Sequence, residues 1–310
     1  MTNKQILLGL LCIGSLWLPL ACKSNTNPIT SGSMVSVAEP TRSVPPTPLV
    51  LGQSYSGSYA TQVCVSGSGD IDVLNEGDEA INIYSASGMA VTSWSGFAYP
   101  YDMALGPADN IYVADTYNNN RIEKYTPQGK LLWTSSGHGI YYPTAISVNA
   151  SDQVEVSDYN GGSGYGVLQL NPRTGVVLKQ WPGTSSYDDF LGIALNNQGE
   201  VYVADYDTEA INEYTSNGVL LKTIPTRASG LAGITLNNEN TDIYYVNYYG
   251  QISEIDLATD QVIHTSSLTS PESWQVSVDG KGNVWTYDNN NNSIIELNPD
   301  LSLKSWIKLP

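Results

Sequence analysis

The sequence predicts an all-β protein, a six-bladed β-propeller built from four-stranded blades, and three observations carry that prediction. Residues 106–132 read GPADNIYVADTYNNNRIEKYTPQGKLL. In this stretch IYVAD and RIEKY alternate apolar and polar residues with period two, while PADN, TYNNN and TPQG supply turn residues, so it reads as short half-buried strands joined by tight turns. The pattern also recurs. An acid or amide closes the second strand of each unit at Asn75, Asp115, Asp158, Asp205, Asn247 and Asp288, after DIDVL, NIYVA, QVEVS, EVYVA, DIYYV and NVWTY. Finally, every unit divides into the same four parts. One hairpin is marginal in water and needs copies of itself to make a core, and a repeat of about forty residues with four short strands is the mark of a propeller.

The elements follow in order. Lys4 and the mostly apolar residues 6–21 form a stretch too short for a membrane span, which predicts a signal peptide over residues 1–22. Residues 23–56 are rich in Ser, Thr and Pro and poor in large apolar side chains, so they are expected to act as an extended tether. Within the tether, residues 49–55 could add an edge strand to the last blade. Residues 57–310 then hold the blades. Each first strand ends in an apolar, small or polar, apolar triplet, at residues 63–65, 103–105, 146–148, 193–195, 234–236 and 276–278. The third strands are INIY, IEKY, VLQL, INEY, ISEI and IIEL, and turns such as TPQG and TSNG lead to fourth strands such as KLLWT and VLLKT.

With these residues in view, YDMALGPADNIYVADTYNNNRIEKYTPQGKLL resembles the NHL repeat. The resemblance extends over roughly residues 59–310 and is closest in blades two and four, where GEVYVADYDTEAINEYTSNGVLL repeats the pattern. It implies the propeller fold. The basic residue that the family carries before its third strand occurs here only at Arg121; Ala80, Gly166, Ala210, Gln251 and Ser293 hold the equivalent places. Similarly, LPLAC ending at Cys22 resembles a bacterial lipobox, which implies lipidation of Cys22 and anchoring in the cell envelope as an outer-membrane lipoprotein facing the periplasm or exterior. Pro19 departs from the aliphatic residue usual there, and simple secretion is the alternative.

Charge narrows the partner classes. The net charge of −17 argues against nucleic acid, because holding a phosphate backbone needs a basic surface. Some NHL proteins bind RNA through a basic face, and this composition lacks it. Three cysteines indicate a fold that does not depend on disulfides: Cys12 leaves with the signal, Cys22 takes lipid, and Cys64 is expected to be a buried residue between Val63 and Val65.

In a propeller the loop leading into each first strand and the loop between second and third strands converge on one face. Here the lead-in loops hold Tyr59, Tyr99, Tyr101, Tyr141, Tyr142, Tyr187 and Trp274, and the second-to-third loops hold Tyr117, Tyr159, Tyr206, Tyr248 and Tyr249. Acids and amides stand beside them, among them Asp78, Asp102, Asp189, Asp207 and Glu272. Tyr outnumbers Phe by 21 to 2. A rigid ring with one polar end suits a wet recognition surface for a protein, peptide or glycan, although tyrosines packed between blades would give the same count. A second candidate is the position before each triplet, where Gln62, Asp102 and Gln275 replace the small residue typical of NHL repeats and would form a polar arc near the channel mouth. These groups could equally bond main chain or channel water. The candidate ligand-binding set is therefore Gln62, Asp102, Gln275, Tyr101, Tyr117, Tyr159, Tyr206 and Trp274, on a monomer.

Catalysis is the other class of reading. Gluconolactonases and paraoxonases hold calcium through carboxylates and amides at the channel of such a propeller, so calcium is the one cofactor the polar groups here could take. The recurrent acid or amide after each second strand fits better as an acceptor for main-chain N–H groups, because single-site chemistry does not need six copies. Peptidylglycine lyase and streptogramin lyase, which share the architecture, use histidine clusters, whereas this chain has only His138 on a lead-in loop and His264 in QVIHT. No GxSxG, P-loop, CxxC or HExxH motif occurs. No catalytic residue, resident metal or other cofactor is assigned, and binding ranks above catalysis.

Overall fold

The computed structural model describes residues 59–137, 139–159, 165–183, 190–226, 228–268 and 273–309. The signal segment, Cys22, the tether with residues 49–55, and His138, Tyr187, Asp189 and Glu272 lie outside the described residues.

Six antiparallel sheets of four strands make the fold. Blade one comprises β1 (Ala60–Val65), β2 (Ile71–Asn75), β3 (Ala80–Tyr84) and β4 (Ala90–Ser95). Blade two comprises β5 (Pro100–Leu105), β6 (Ile111–Asp115), β7 (Arg121–Tyr125) and β8 (Leu131–Ser136). Blade three follows with β9 (Pro143–Val148), β10 (Val154–Tyr159), β11 (Tyr165–Leu170) and β12 (Val177–Pro182). Blade four has β13 (Phe190–Leu195), β14 (Val201–Asp205), β15 (Ala210–Tyr214) and β16 (Leu220–Pro225). Blade five has β17 (Leu231–Leu236), β18 (Asp242–Asn247), β19 (Ile252–Asp256) and β20 (Gln261–Thr265). Blade six closes with β21 (Ser277–Val278), β22 (Val284–Asp288), β23 (Ser293–Leu297) and β24 (Leu303–Lys308). Blade six thus has its own fourth strand, and the six units fall where the repeat places them.

The core is distributed between blades rather than gathered in one centre. Six apolar clusters each join two neighbours: Leu74, Ile81 and Trp94 of blade one meet Met103, Val113 and Tyr125 of blade two, and the same scheme runs round to blade six, whose Trp285, Tyr287 and Ile294 meet Val63, Ile71 and Tyr84 of blade one. That last cluster closes the ring. Each apolar face is therefore buried against the next copy, which is why one blade alone would not be stable.

The turn glycines have a specific use. At Gly129, with φ +78°, an added Cβ would lie 2.7 Å from the Trp94 ring, and at Gly218, with φ +76°, it would lie 2.3 Å from Trp181. The third-to-fourth turn of one blade thus sits directly on the fourth-strand tryptophan of the blade before it. A side chain there would meet both strain and a clash. Ring closure repeats the contact with Ile307 over Gly88 and adds a polar clamp, in which Asn289 Oδ1 accepts from the Ala60 N–H at 2.9 Å and Asn289 Nδ2 donates to the Ala60 carbonyl at 3.0 Å.

Candidate functional site

Two regions gather polar and aromatic groups, and they are separate. The first is the face made by lead-in and second-to-third loops. Main-chain bonds tie the two loop sets together: Thr116 N–H to the Tyr99 carbonyl at 2.9 Å, Tyr159 N–H to that of Tyr142 at 3.0 Å, and Tyr248 N–H to that of Gly230 at 2.7 Å. The acid or amide after each second strand then fixes them. Buried Asp115 accepts from the Ala98 and Tyr99 N–H groups at 2.9 and 2.8 Å, and Asp158 from those of Tyr141 and Tyr142 at 3.0 and 3.1 Å. Asn75, Asp205, Asn247 and Asp288 accept main-chain N–H groups of their own turns. The main-chain role expected of this position is what the geometry has. In blades two and three, however, the carboxylate reaches across to the lead-in loop instead.

Arg121 joins the blade-two clamp. Its Nε donates to Asp115 at 3.0 Å, and its guanidinium also lies 3.2 Å from Glu123 and donates to the Gly96 carbonyl at 3.1 Å. The burial that shields Asp158 pushes its carboxyl up to about 6 against the pull of the two tyrosine N–H groups.

On loops held this way, Tyr117, Tyr141 and Tyr249 stand 53%, 53% and 60% exposed. Tyr99 lies edge-on to Tyr117 at 6.0 Å between ring centres and hydrogen-bonds Glu76, and burial raises the pKa of both groups. Across the ring, Tyr248 packs edge-on against Tyr249 at 5.6 Å and Trp274 at 5.3 Å. Tyr206 approaches the same corner, where a Cβ added to Gly230 would lie 3.4 Å from its ring and 2.6 Å from Tyr248. The other aromatic candidates sit deeper. Tyr101 is buried, Tyr159 is half-buried against the cluster of Ala145, Val167 and Trp181, and Trp274 packs on that of Val246, Ile252 and Val276. Of the exposed rings, Tyr117 belongs to the candidate set, whereas Tyr141 and Tyr249 stand on the same loops outside it.

The second region is a cavity of about 360 Å³ along the inner strands. Gln62, Asp102 and Gln275 all line it, as an arc of neighbouring blades would, but among the described residues no tyrosine does. Its other walls come from the later residues of the inner strands and from the first-to-second turns, which places its opening on the face away from the lead-in loops. For Gln62 and Asp102 the reason they turn inward is local. The β1–β2 and β5–β6 registers shift between Ala60 and Gln62 and between Pro100 and Asp102, and such a bulge re-aims the side chain that follows it.

Asp102 accepts three hydrogen bonds. Gln62 Nε2 donates to its Oδ1 at 3.1 Å, the Met103 N–H to the same oxygen at 2.8 Å, and the Ile146 N–H of the next blade to Oδ2 at 2.9 Å. Burial pushes its pKa up to about 7 in spite of these bonds. Gln275 instead spans toward blade four, donating to the Leu191 carbonyl at 3.4 Å. The glycines at the matching positions explain the family's small residue. A Cβ on Gly192 would lie 2.6 Å from the Ala232 carbonyl oxygen, and one on Gly233 would lie 2.7 Å from that of Trp274. Inner strands pass too closely there for a side chain. Cys64 is buried beside this arc with its thiol 3.6 Å from the Met103 carbonyl, and burial pushes the thiol pKa up.

The cavity's turn residues were not singled out in the sequence. Asn149, Asn197, Asn237, Asn238 and Asn240 line its rim. A signal existed, since asparagine follows the triplet in three consecutive blades as VNASD, LNNQG and LNNEN. Part of that signal is structural: Asn149, Asn196 and Asn237 each accept two N–H groups of their own turn. His264 lies on the outer strand β20, with Nδ1 2.5 Å from Glu254. Among the described residues no three His, Cys, Asp or Glu side chains gather as a metal-binding group.

The geometry defines a six-bladed β-propeller with a rigid aromatic face and a polar axial cavity. Residues 97–125 match the NHL repeat, in the blade where the sequence resemblance is strong. The fold is similar to that of virginiamycin B lyase from Staphylococcus aureus, at 15% identity, with 85% of this chain and 88% of that one covered and a TM-score of 0.62. It is similar to a streptogramin B lyase at 20% identity, with coverage of 76% and 78% and a TM-score of 0.59. A catalytically inactive virginiamycin B lyase from the same organism, solved with quinupristin, gives 16% identity, coverage of 85% and 88%, and a TM-score of 0.61. No curated protein matches the sequence of this chain. At these identities the likeness establishes the fold.

Proposed function

We propose that the protein is an exported binding module, anchored in the bacterial cell envelope through a lipid on Cys22, that holds a protein, peptide or glycan on its aromatic face. The observation that carries this reading is the pairing of exposed rings with fixed loops. Tyr141 and Tyr249 project from backbone whose own N–H groups are held by Asp158 and Asn247, and Tyr117 follows Thr116, whose N–H bonds the carbonyl of the Tyr99 that Asp115 holds. A ring presented on an ordered loop loses little conformational entropy on binding, which favours recognition. Stacking and hydrogen bonding from the phenol would provide the contact, and the loops the specificity.

The test is binding of the purified protein to glycan and protein arrays, beside a triple variant with Tyr117→Ala, Tyr141→Ala and Tyr249→Ala. Loss of the bound features at an unchanged melting temperature is expected, and an identical pattern would place the function elsewhere. For the anchor, a Cys22→Ser variant should leave the membrane fraction, and its retention there would refute the lipid.

A second reading is an enzyme of the lyase or lactonase type working at the channel mouth, with calcium as the possible ion. What favours it is the fold likeness to the virginiamycin B and streptogramin B lyases over most of both chains. Incubation with virginiamycin B or quinupristin, with mass analysis of the product and His138→Ala as control, tests it. Cleavage dependent on His138 would move this reading ahead of binding.

A further inference from the structure

We infer that the axial cavity is a second, independent binding site, which takes a small neutral polyhydroxy compound such as a mono- or disaccharide from the face opposite the tyrosines. Its volume of about 360 Å³ lies at the small end of the range for ligand pockets, roughly 300–1,000 Å³. The class of ligand follows from what the walls offer. Among the described residues no Lys, Arg or His lines the cavity, so an anion would enter without a counter-charge. Among the described residues the one lining acid, Asp102, already accepts three hydrogen bonds, from Gln62 and two main-chain N–H groups, so its charge is balanced mainly within the wall.

What remains is a set of neutral donors and acceptors, several of them unspent. Among the described residues, Asn197 uses its Oδ1 on the Ala150 N–H at 3.4 Å and leaves its Nδ2 available. Asn238 donates to the Asp279 carbonyl and Asn240 to that of Asn238, which leaves both Oδ1 atoms as acceptors. Thr235 adds a hydroxyl on the wall, and Gln275 points its Oε1 past Gly233 while its Nε2 is used. Between these polar groups Val65, Leu105 and Leu236 provide apolar wall. Alternating amides and aliphatic patches match the hydroxyl edges and C–H faces of a sugar ring, whereas a purely water-filled channel has no need of an apolar rim.

The experiment is saturation-transfer NMR and titration of the full-length protein with maltose, trehalose and myo-inositol, against glucosamine and glucose 6-phosphate as charged counterparts. At least one neutral compound is expected to bind, with the charged compounds about tenfold weaker or undetected. Asn197→Ala lies on an exposed turn and Thr235→Val keeps the side-chain shape, so neither should unfold the protein. Each is expected to weaken binding about fivefold, the loss of one hydrogen bond. The triple tyrosine variant should bind these sugars as the wild type does, so this site and the aromatic face can fail separately. No binding by any neutral compound, equal binding of the charged ones, or unchanged affinity in both cavity variants would overturn the inference.

Discussion

Replacing Asp115 with alanine tests how the aromatic face is held. The side chain is 0% exposed and its two oxygens receive four donors: the Ala98 and Tyr99 N–H groups on one, Asn119 Nδ2 at 2.7 Å and Arg121 Nε at 3.0 Å on the other. Hydrogen bonds to a charged group contribute about 1.5–3 kcal/mol each, but four on one carboxylate do not add, and water can reach the loop once the side chain is gone. Two main-chain donors left to imperfect solvation cost about 2 kcal/mol. Arg121 is 21% exposed and keeps Glu123 and the Gly96 carbonyl, so its loss adds about 1 kcal/mol. The expected destabilisation is about 3 kcal/mol, or roughly 6–12 °C in melting temperature for a domain of this size. Asp115→Asn should fall between, because its Oδ1 can still accept from Ala98 and Tyr99 while its Nδ2 would face the donors of Asn119 and Arg121. Thermal melts followed by near-ultraviolet circular dichroism report both the stability and the tyrosine environment. A change under about 0.5 kcal/mol with an unaltered tyrosine signal would refute the clamp, since that is the range of an ordinary surface substitution.

Gly192→Ala forces a Cβ to within 2.6 Å of the Ala232 carbonyl oxygen and 2.9 Å of the Ile234 nitrogen. Neighbouring main chain cannot rotate away, so the cost should reach or exceed about 3 kcal/mol by chemical denaturation, whereas Gly280→Ala, with nothing within 4 Å, should stay within about 0.5 kcal/mol; equal effects would contradict the close strand approach. Glu155 is buried, accepts one bond from Gln169 at 2.7 Å, and burial pushes its pKa from 4.5 up to about 8. The fold favours the protonated form, so the wild type should lose stability relative to Glu155→Gln as pH rises from about 4.5 through 8, and a difference constant over that window would contradict the assignment.

The fold was legible because its repeat unit is written in local chemistry. Alternation in IYVAD and VYVAD, turn glycines and a strand-ending acid are all short-range signals, and a propeller needs only that they recur. The register of the inner strands was less so: the bulges before Gln62 and Asp102 depend on how neighbouring blades approach, which alternation does not encode. For that reason the sequence brought Gln62, Asp102 and Gln275 to one level of the channel but did not bring out the turn asparagines that line the same cavity. Tyr101 and Trp274 carry the same lesson. A lead-in loop is recognisable from its position, but whether its ring faces solvent or a neighbouring blade is settled by packing. The asparagines of the first-to-second turns did not stand out as a site, because the turn needs them whether or not a ligand does.

The central claim is that the exposed tyrosines carry recognition. The most direct measurement is calorimetric titration of the strongest array ligand into the wild type and into the Tyr117, Tyr141 and Tyr249 triple alanine variant. A weakening of at least about tenfold, near 1.4 kcal/mol, with the melting temperature preserved, is the predicted result, and affinities within about twofold of each other would contradict the account.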